Sequence, residues 1–313
     1  MVAAAHPPYP IGTPGEPWGS AERARWLERQ VIRRSYRQDV LERLDRLPSH
    51  FAIESYGALP SDPERYPLHA VRVGDGAASK PTVLVTGGVH GYETSGVHGA
   101  LRFLETEAEG YADRLHVVVV PCVSPWGYET INRWNPGAVD PNRSFFTGSG
   151  SPEATLLMAY AAEALPPAKV HFDLHETTDT DNTEFRPALN AREGKRPEAL
   201  SPIPHGFYTV APTRSPELGF QQAVIAAVEK VTPIAAPDEA ANIIGCPIQG
   251  PGIIFYDKRA LHLCGGFTEA RYVTTTEVYP DSPDTTPEIC IRAQVAAVRG
   301  GLDHLLEKGL LTR

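Results

Sequence analysis

The chain has 313 residues, 42% of them hydrophobic, enough to bury a large core in one enlarged domain. Its formal net charge of -9 excludes a broad nucleic-acid or anionic-membrane surface, since both need clustered positive charge, and it leaves peptides or small molecules as the expected partners. No run reaches the ~18 consecutive apolar residues of a membrane span, and the opening MVAAAHPPYP lacks a basic segment followed by an apolar run, so a soluble, cytoplasmic protein is expected.

After a Pro/Gly-rich leader, Ser20 to Leu47 is charged, with Trp26, Leu27, Val31 and Ile32 recurring near helical spacing. It reads as one amphipathic helix packed on a larger body, so residues 1–50 form a leader and helix and residues 51–313 a single domain. Arg33, Arg34 and Arg37 alternate with acids, as on a solvated helix face. FAIESYG, YPLHAVRVG, PTVLVTGG, LHVVVVPCV and KVHFDLH then read as strands, GVHGALRFLETEAEG and the stretch near Pro152 to Leu165 as helices. Asp179 to Thr213 reads as a long excursion between core elements, followed by a helix near Leu218 to Val231, a strand at Arg271 to Val278 and a closing helix from about Pro287 to Leu306. Apolar strands separated by helices predict a three-layer α/β/α fold on a mixed, mainly parallel twisted sheet. Cys122, Cys246, Cys264 and Cys290 show no CxxC pairing, which argues against a thiolate metal knuckle or a disulfide framework.

Two of the apolar strands end in potential metal ligands. PTVLV runs into TGGVHGYE, where His90 and Glu93 stand three residues apart beyond a strand's carboxyl end, the edge at which open α/β sheets bind ligands. That spacing puts imidazole and carboxylate on one side of a turn-like segment, and the glycines flanking His90 let the backbone bend tightly. HFDLHETTD ends another apolar strand and brings His175 to the same crevice. His90, Glu93 and His175 thus supply the three protein ligands of a catalytic zinc, with a fourth position left for water. Asp173 shares the strand face of His175 and is placed to orient an imidazole, although the two can also form a purely structural buried pair. His171, Asp173, His175 and Glu176 offer ligands for a second ion, but one zinc per chain is the favoured reading.

VDPNRSF supplies Asn142 and Arg143, and NRWNPG supplies Arg133. One planar guanidinium suits capture of a substrate carboxylate, and a second suits stabilisation of an oxyanion. In TTTEVYP, Glu277 sits in a strand, where a semi-buried carboxylate beside a metal-bound water can act as a general base. Glu269 in GGFTEAR is its rival.

Taken in chain order, HGYE, DPNR, DLHE and TTEV resemble the zinc carboxypeptidase superfamily, which includes carboxypeptidase A-like peptidases and the succinylglutamate desuccinylase/aspartoacylase enzymes. The resemblance runs from about Pro67 to Leu306. It implies His90, Glu93 and His175 as zinc ligands, Asn142 and Arg143 as binders of the substrate carboxylate, Arg133 as the group polarising the scissile carbonyl and Glu277 as the base. It also implies a mobile Tyr from a loop before the last strand, for which Tyr256 in IIFYDK is the candidate. HGYE and DLHETT look closer to the aspartoacylase side, whereas a late strand followed directly by a terminal helix looks more like a carboxypeptidase. Arg186, Arg192 and Arg196 lie in the long segment between His175 and Glu277 and are expected to shape the pocket. The implied reaction is hydrolysis of a C-terminal peptide or amide bond, with N-acyl-amino-acid hydrolysis as the alternative.

Overall fold

The computed structural model describes residues 9–74, 80–196 and 202–311. Its strands are β1 (Ala52–Ala58), β2 (Pro67–Val73), β3 (Thr82–Gly87), β4 (His116–Val120), β5 (Ala168–Glu176), β6 (Tyr208–Pro212), β7 (Asn242–Ile243), β8 (Cys246–Pro247), β9 (Ile253–Tyr256) and β10 (Tyr272–Val278). Eight of them form one sheet in the order β1-β2-β4-β3-β5-β10-β6-β9, and β7 pairs with β8 apart from it. The neighbours β4, β3, β5 and β10 run parallel to one another, while β1, β2 and β6 join through antiparallel pairings. The expected mixed sheet with a parallel centre is therefore present.

The helices are α1 (Ser20–Glu28), α2 (Glu42–Leu44), α3 (Thr94–Thr106), α4 (Pro125–Thr130), α5 (Pro152–Ala164), α6 (Arg186–Arg192), α7 (Leu218–Val228) and α8 (Pro287–Glu307). Alternate residues of the central strands face opposite layers. Val83, Val85, Val117 and Val119 pack into one core with Leu101 and Leu104 of α3 and Val298 and Leu302 of α8. Leu84, Val118 and Val120 pack into a second core with Ala154 and Leu157 of α5. Because both faces are covered, β3 and β4 are buried at every position, which is why they read as unbroken apolar runs.

The predicted single helix over Ser20 to Leu47 is instead broken. After α1 the chain leaves helical geometry, and the N–H groups of Arg33 and Arg34 both donate to Glu129 O, at 2.7 and 3.2 Å. A π-helical turn over Arg37–Leu41 then leads into α2. Of the residues assigned to its apolar face only Trp26 is buried, and Leu27, Val31 and Ile32 are exposed. The predicted excursion over Asp179 to Thr213 also needs correction, since it holds a π-helical turn at Asp181–Phe185, α6 and the sheet strand β6. Both β6 and β9 are short, and the ladders of β6 to β10 and of β9 to β6 are long-range pairings that local patterning does not reveal. Cys122, Cys264 and Cys290 are buried and Cys246 partly so, all four as free thiols. Among the described residues no helix is long and apolar enough to cross a membrane.

Candidate active site

The parallel alignment of β3, β5 and β10 brings their carboxyl ends to one edge, and the β5–β10 register sets Glu277 directly beside His175. His90 lies in the loop after β3, and Glu93 occupies the N-terminal cap of α3. That loop needs its glycine: a side-chain carbon on Gly91 would sit 2.0 Å from the backbone nitrogen of Tyr128 in α4.

Both imidazoles turn Nδ1 toward the same carboxylate. His90 Nδ1 is 2.6 Å from Glu93 Oε1, and His175 Nδ1 is 2.7 Å from Glu93 Oε2. Their outer nitrogens are engaged as well, His90 Nε2 at 3.0 Å from Asp140 Oδ1 and His175 Nε2 at 3.1 Å from Asp173 Oδ2. Burial opposes charge on Glu93, but the flanking imidazoles hold its carboxyl below the usual range. Burial likewise opposes charge on His175, and the carboxylates of Asp173 and Glu93 outweigh it. Two imidazole nitrogens and a carboxylate, all buried and with ligand atoms within 4.8 Å of one another, match the donor set of a divalent cation. With a cation bound, the carboxylate behind each imidazole would take the Nε2 proton and leave Nδ1 as the ligand atom.

A pocket of about 140 Å³ opens beside this cluster, lined by Arg133, Asn142, Arg143, Arg186, Tyr208, Tyr256 and Glu277 among others. Thr177 Oγ1 donates to Glu277 Oε2 at 2.8 Å and contacts Tyr208 Oη at 2.7 Å. Burial pushes the Glu277 carboxyl up to about 8. Arg133 is shared between two acids, Nε donating to Asp140 Oδ2 at 3.0 Å and Nη1 to Asp181 Oδ1 at 3.1 Å. Arg143 stands exposed at the mouth, its Nη1 donating to Asn142 O at 2.7 Å, and among the described residues no carboxylate pairs with it. Asn142 is turned inward, its Oδ1 accepting from Cys264 N at 2.7 Å and its Nδ2 lying 3.4 Å from His175 Nε2.

Several expectations need correcting. Tyr256 lines the pocket from the end of β9 and is not carried on a loop before β10. The rival base Glu269 has a side chain 80% exposed, pairs with Arg259 and lines a different cavity. Arg186 lines the pocket, whereas Arg192 is directed to the carbonyl of Ala138 and Arg196 is exposed outside it. Asp140, Asp181 and Thr177 were not singled out from sequence, although Asp140 belongs to the DPNR motif.

Beneath the imidazoles lies a second buried group of His171, Asp173 and Cys264. The Thr86 hydroxyl knits it together, donating to Asp173 Oδ1 at 2.8 Å and lying 3.1 Å from His171 Nε2. Burial lowers His171 to about 4. Lys258, also buried, donates to Thr275 Oγ1 at 2.5 Å and brings a cation to this layer. That charge opposes a second metal ion there, and hydrogen bonding within the group accounts for its residues.

The catalytic domain of succinylglutamate desuccinylase/aspartoacylase matches residues 79–203, a segment that includes His90, Glu93, Arg133, Asn142, Arg143 and His175. A candidate metallopeptidase from Shewanella amazonensis superposes with a TM-score of 0.64 at 21% identity, over 86% of this chain and 92% of its own. The chain has a carboxypeptidase-like α/β fold. A metallo-carboxypeptidase from Burkholderia cenocepacia aligns with a TM-score of 0.59 at 17% identity, over 93% of this chain and 70% of its own. Bovine thrombin-activatable fibrinolysis inhibitor aligns with a TM-score of 0.57 at 14% identity, over 94% and 99% of the two chains. No curated protein sequence matches. Fold and matched segment together support the resemblance to the zinc carboxypeptidase superfamily, related to succinylglutamate desuccinylase/aspartoacylase.

Proposed function

We propose that the protein is a zinc-dependent hydrolase that cleaves a C-terminal peptide or amide bond. The observation that carries this reading is the convergence of His90 Nδ1 and His175 Nδ1 on the Glu93 carboxylate, each imidazole backed by its own acid, with Glu277 alongside. His90, Glu93 and His175 would hold one zinc, which would supply Lewis-acid activation of water and of the substrate carbonyl. Glu277 removes a proton from the attacking water and returns it to the departing amine. Burial raises its proton affinity, which suits delivery of the proton to the amine, while the positive charge of a bound cation would favour the carboxylate needed to take that proton up. Thr177 holds the Glu277 carboxylate in place. Arg133, anchored by Asp140 and Asp181, faces the carbonyl oxygen as negative charge develops.

Arg143 grips the substrate carboxylate, a role supported by its place on the pocket lining and by the absence of a carboxylate within ion-pair distance of it among the described residues. Asn142 shapes the pocket floor, and Tyr256 closes one wall. A second reading, hydrolysis of an N-acyl-amino acid, is supported by the small pocket of about 140 Å³ and by the matched segment at residues 79–203. Paired peptides with free and amidated C-termini, run beside a panel of N-acyl-amino acids, separate the two. Cleavage lost on amidation supports the first reading. Hydrolysis of acyl-amino acids without peptide cleavage supports the second, and no hydrolysis of either class by the zinc-loaded protein rejects both.

A further inference from the structure

Asp140 is delivered to the site by a tight turn with a costly tip. Asn135 N donates to Val139 O at 2.9 Å, Ala138 N donates to Asn135 O at 2.9 Å, and Asn135 Oδ1 accepts from the N–H groups of Gly137 and Val139 at 2.9 and 3.2 Å. Ala138 at the tip has φ of 55°, a left-handed conformation that glycine adopts freely and a residue with a Cβ resists. It is fully buried, and its carbonyl accepts from two guanidinium groups: Arg192 Nη1 of α6 at 2.7 Å and Arg23 Nη1 of α1 at 3.3 Å. Arg23 Nη1 also donates to Gly137 O at 2.8 Å.

These two arginines are themselves well anchored. The Arg192 guanidinium lies 4.5 Å from the ring centre of Trp134, the neighbour of Arg133, and Arg192 O accepts from Trp18 N at 2.9 Å. Trp26 of α1 packs on both Trp134 and Trp126, so all four tryptophans of the chain join in one cluster around the turn. Two residues past Ala138, the Asp140 carboxylate divides between His90 Nε2 and Arg133 Nε, each at 3.0 Å. A change in the turn therefore reaches a metal-binding imidazole and the arginine proposed to face the substrate.

We propose that Arg192, assisted by Arg23, is a positioning residue that holds the left-handed Ala138 turn and so delivers Asp140 to His90 and Arg133. Through it, α1 and α6 set the metal affinity of a ligand cluster to which neither helix contributes a ligand. The inference rests on the metal-site reading above. A purely structural role would predict something different: loss of Arg192 would lower stability without regard to the residue at the turn.

The test is a two-by-two set of wild type, Arg192→Met, Ala138→Gly and the double variant, each titrated with zinc against a chromophoric chelator. Methionine keeps apolar cover on Trp134 and removes the donors to the carbonyl, while glycine removes the conformational resistance at the tip. Arg192→Met is expected to weaken zinc binding by about tenfold in the wild-type background, as for other losses of support behind a metal ligand. In the Ala138→Gly background the same change is expected to cost only about twofold, because glycine keeps the turn unaided. Where a hydrolysed substrate is found, kcat/KM should follow the same pattern. If Arg192→Met fails to fold, Arg23→Met from the half-buried α1 position serves instead, with an expected loss of about threefold. Equal losses in both backgrounds, or zinc binding unchanged in both, overturn the inference. A wild-type protein that binds no zinc overturns the metal-site reading and the inference with it.

Discussion

Replacing Asp173 with asparagine isolates the contribution of one charge behind His175. The buried carboxylate meets Thr86 Oγ1 at 2.8 Å, His175 Nε2 at 3.1 Å, Gly265 N at 3.2 Å and Thr275 Oγ1 at 3.5 Å. An amide of the same shape keeps one oxygen to face His175 and Gly265, while its NH₂ can turn to the Thr86 hydroxyl. Shape and most hydrogen bonds survive; the negative charge does not. Removing such support costs about 10- to 100-fold in metal affinity, or about 1.4–2.7 kcal/mol, and retention of an acceptor for His175 puts the expected loss toward tenfold. The metal-free protein should also lose stability, because the buried Lys258 ammonium is left with less compensating charge. Zinc dissociation constants from chelator competition at fixed pH, with urea unfolding of the metal-free proteins alongside, measure both effects. A zinc affinity within about twofold of wild type would refute the argument that Asp173 supports His175.

Glu277→Gln should bind zinc normally and lose about 10²- to 10⁴-fold in kcat on any substrate the screen provides; near-wild-type turnover would remove Glu277 from the role of base. The same group makes metal-free stability depend on pH. Its carboxyl is raised from 4.5 to about 8 in the folded state, so its contribution to stability is full below about 4.5 and falls as pH rises through about 8. Metal-free Glu277→Gln should therefore exceed wild type by about 1–3 kcal/mol at pH 9 and converge with it near pH 4, a range reduced for solvent access from the pocket. Urea midpoints that stay parallel across that window would contradict it. Arg143→Met should raise KM by about 10-fold or more for substrates with a free carboxylate and leave amidated analogues unaffected. Equal effects on both would place Arg143 outside carboxylate recognition.

Much of the site is legible in the chain because its parts are local. His90 and Glu93 are joined by a three-residue spacing at a strand end, and the apolar runs of β3, β4 and β5 carry the burial of a parallel sheet in their composition. The resemblance carried by HGYE, DPNR, DLHE and TTEV in that order likewise implies one shared site for the candidate ligands and base before any contact is known. What the tertiary structure decided depends on pairing between distant residues. Glu277 and Glu269 are both glutamates near β10, and the register of that strand against β5 sets the former beside His175 while the latter pairs with Arg259 at the surface. Asp140 becomes the partner of His90 only when a turn fifty residues downstream folds back, a span of sequence that no local pattern bridges. The break after α1 has the same origin: the N–H groups of Arg33 and Arg34 bond to Glu129 O, so a long-range partner overrides a helical periodicity that is sound in isolation.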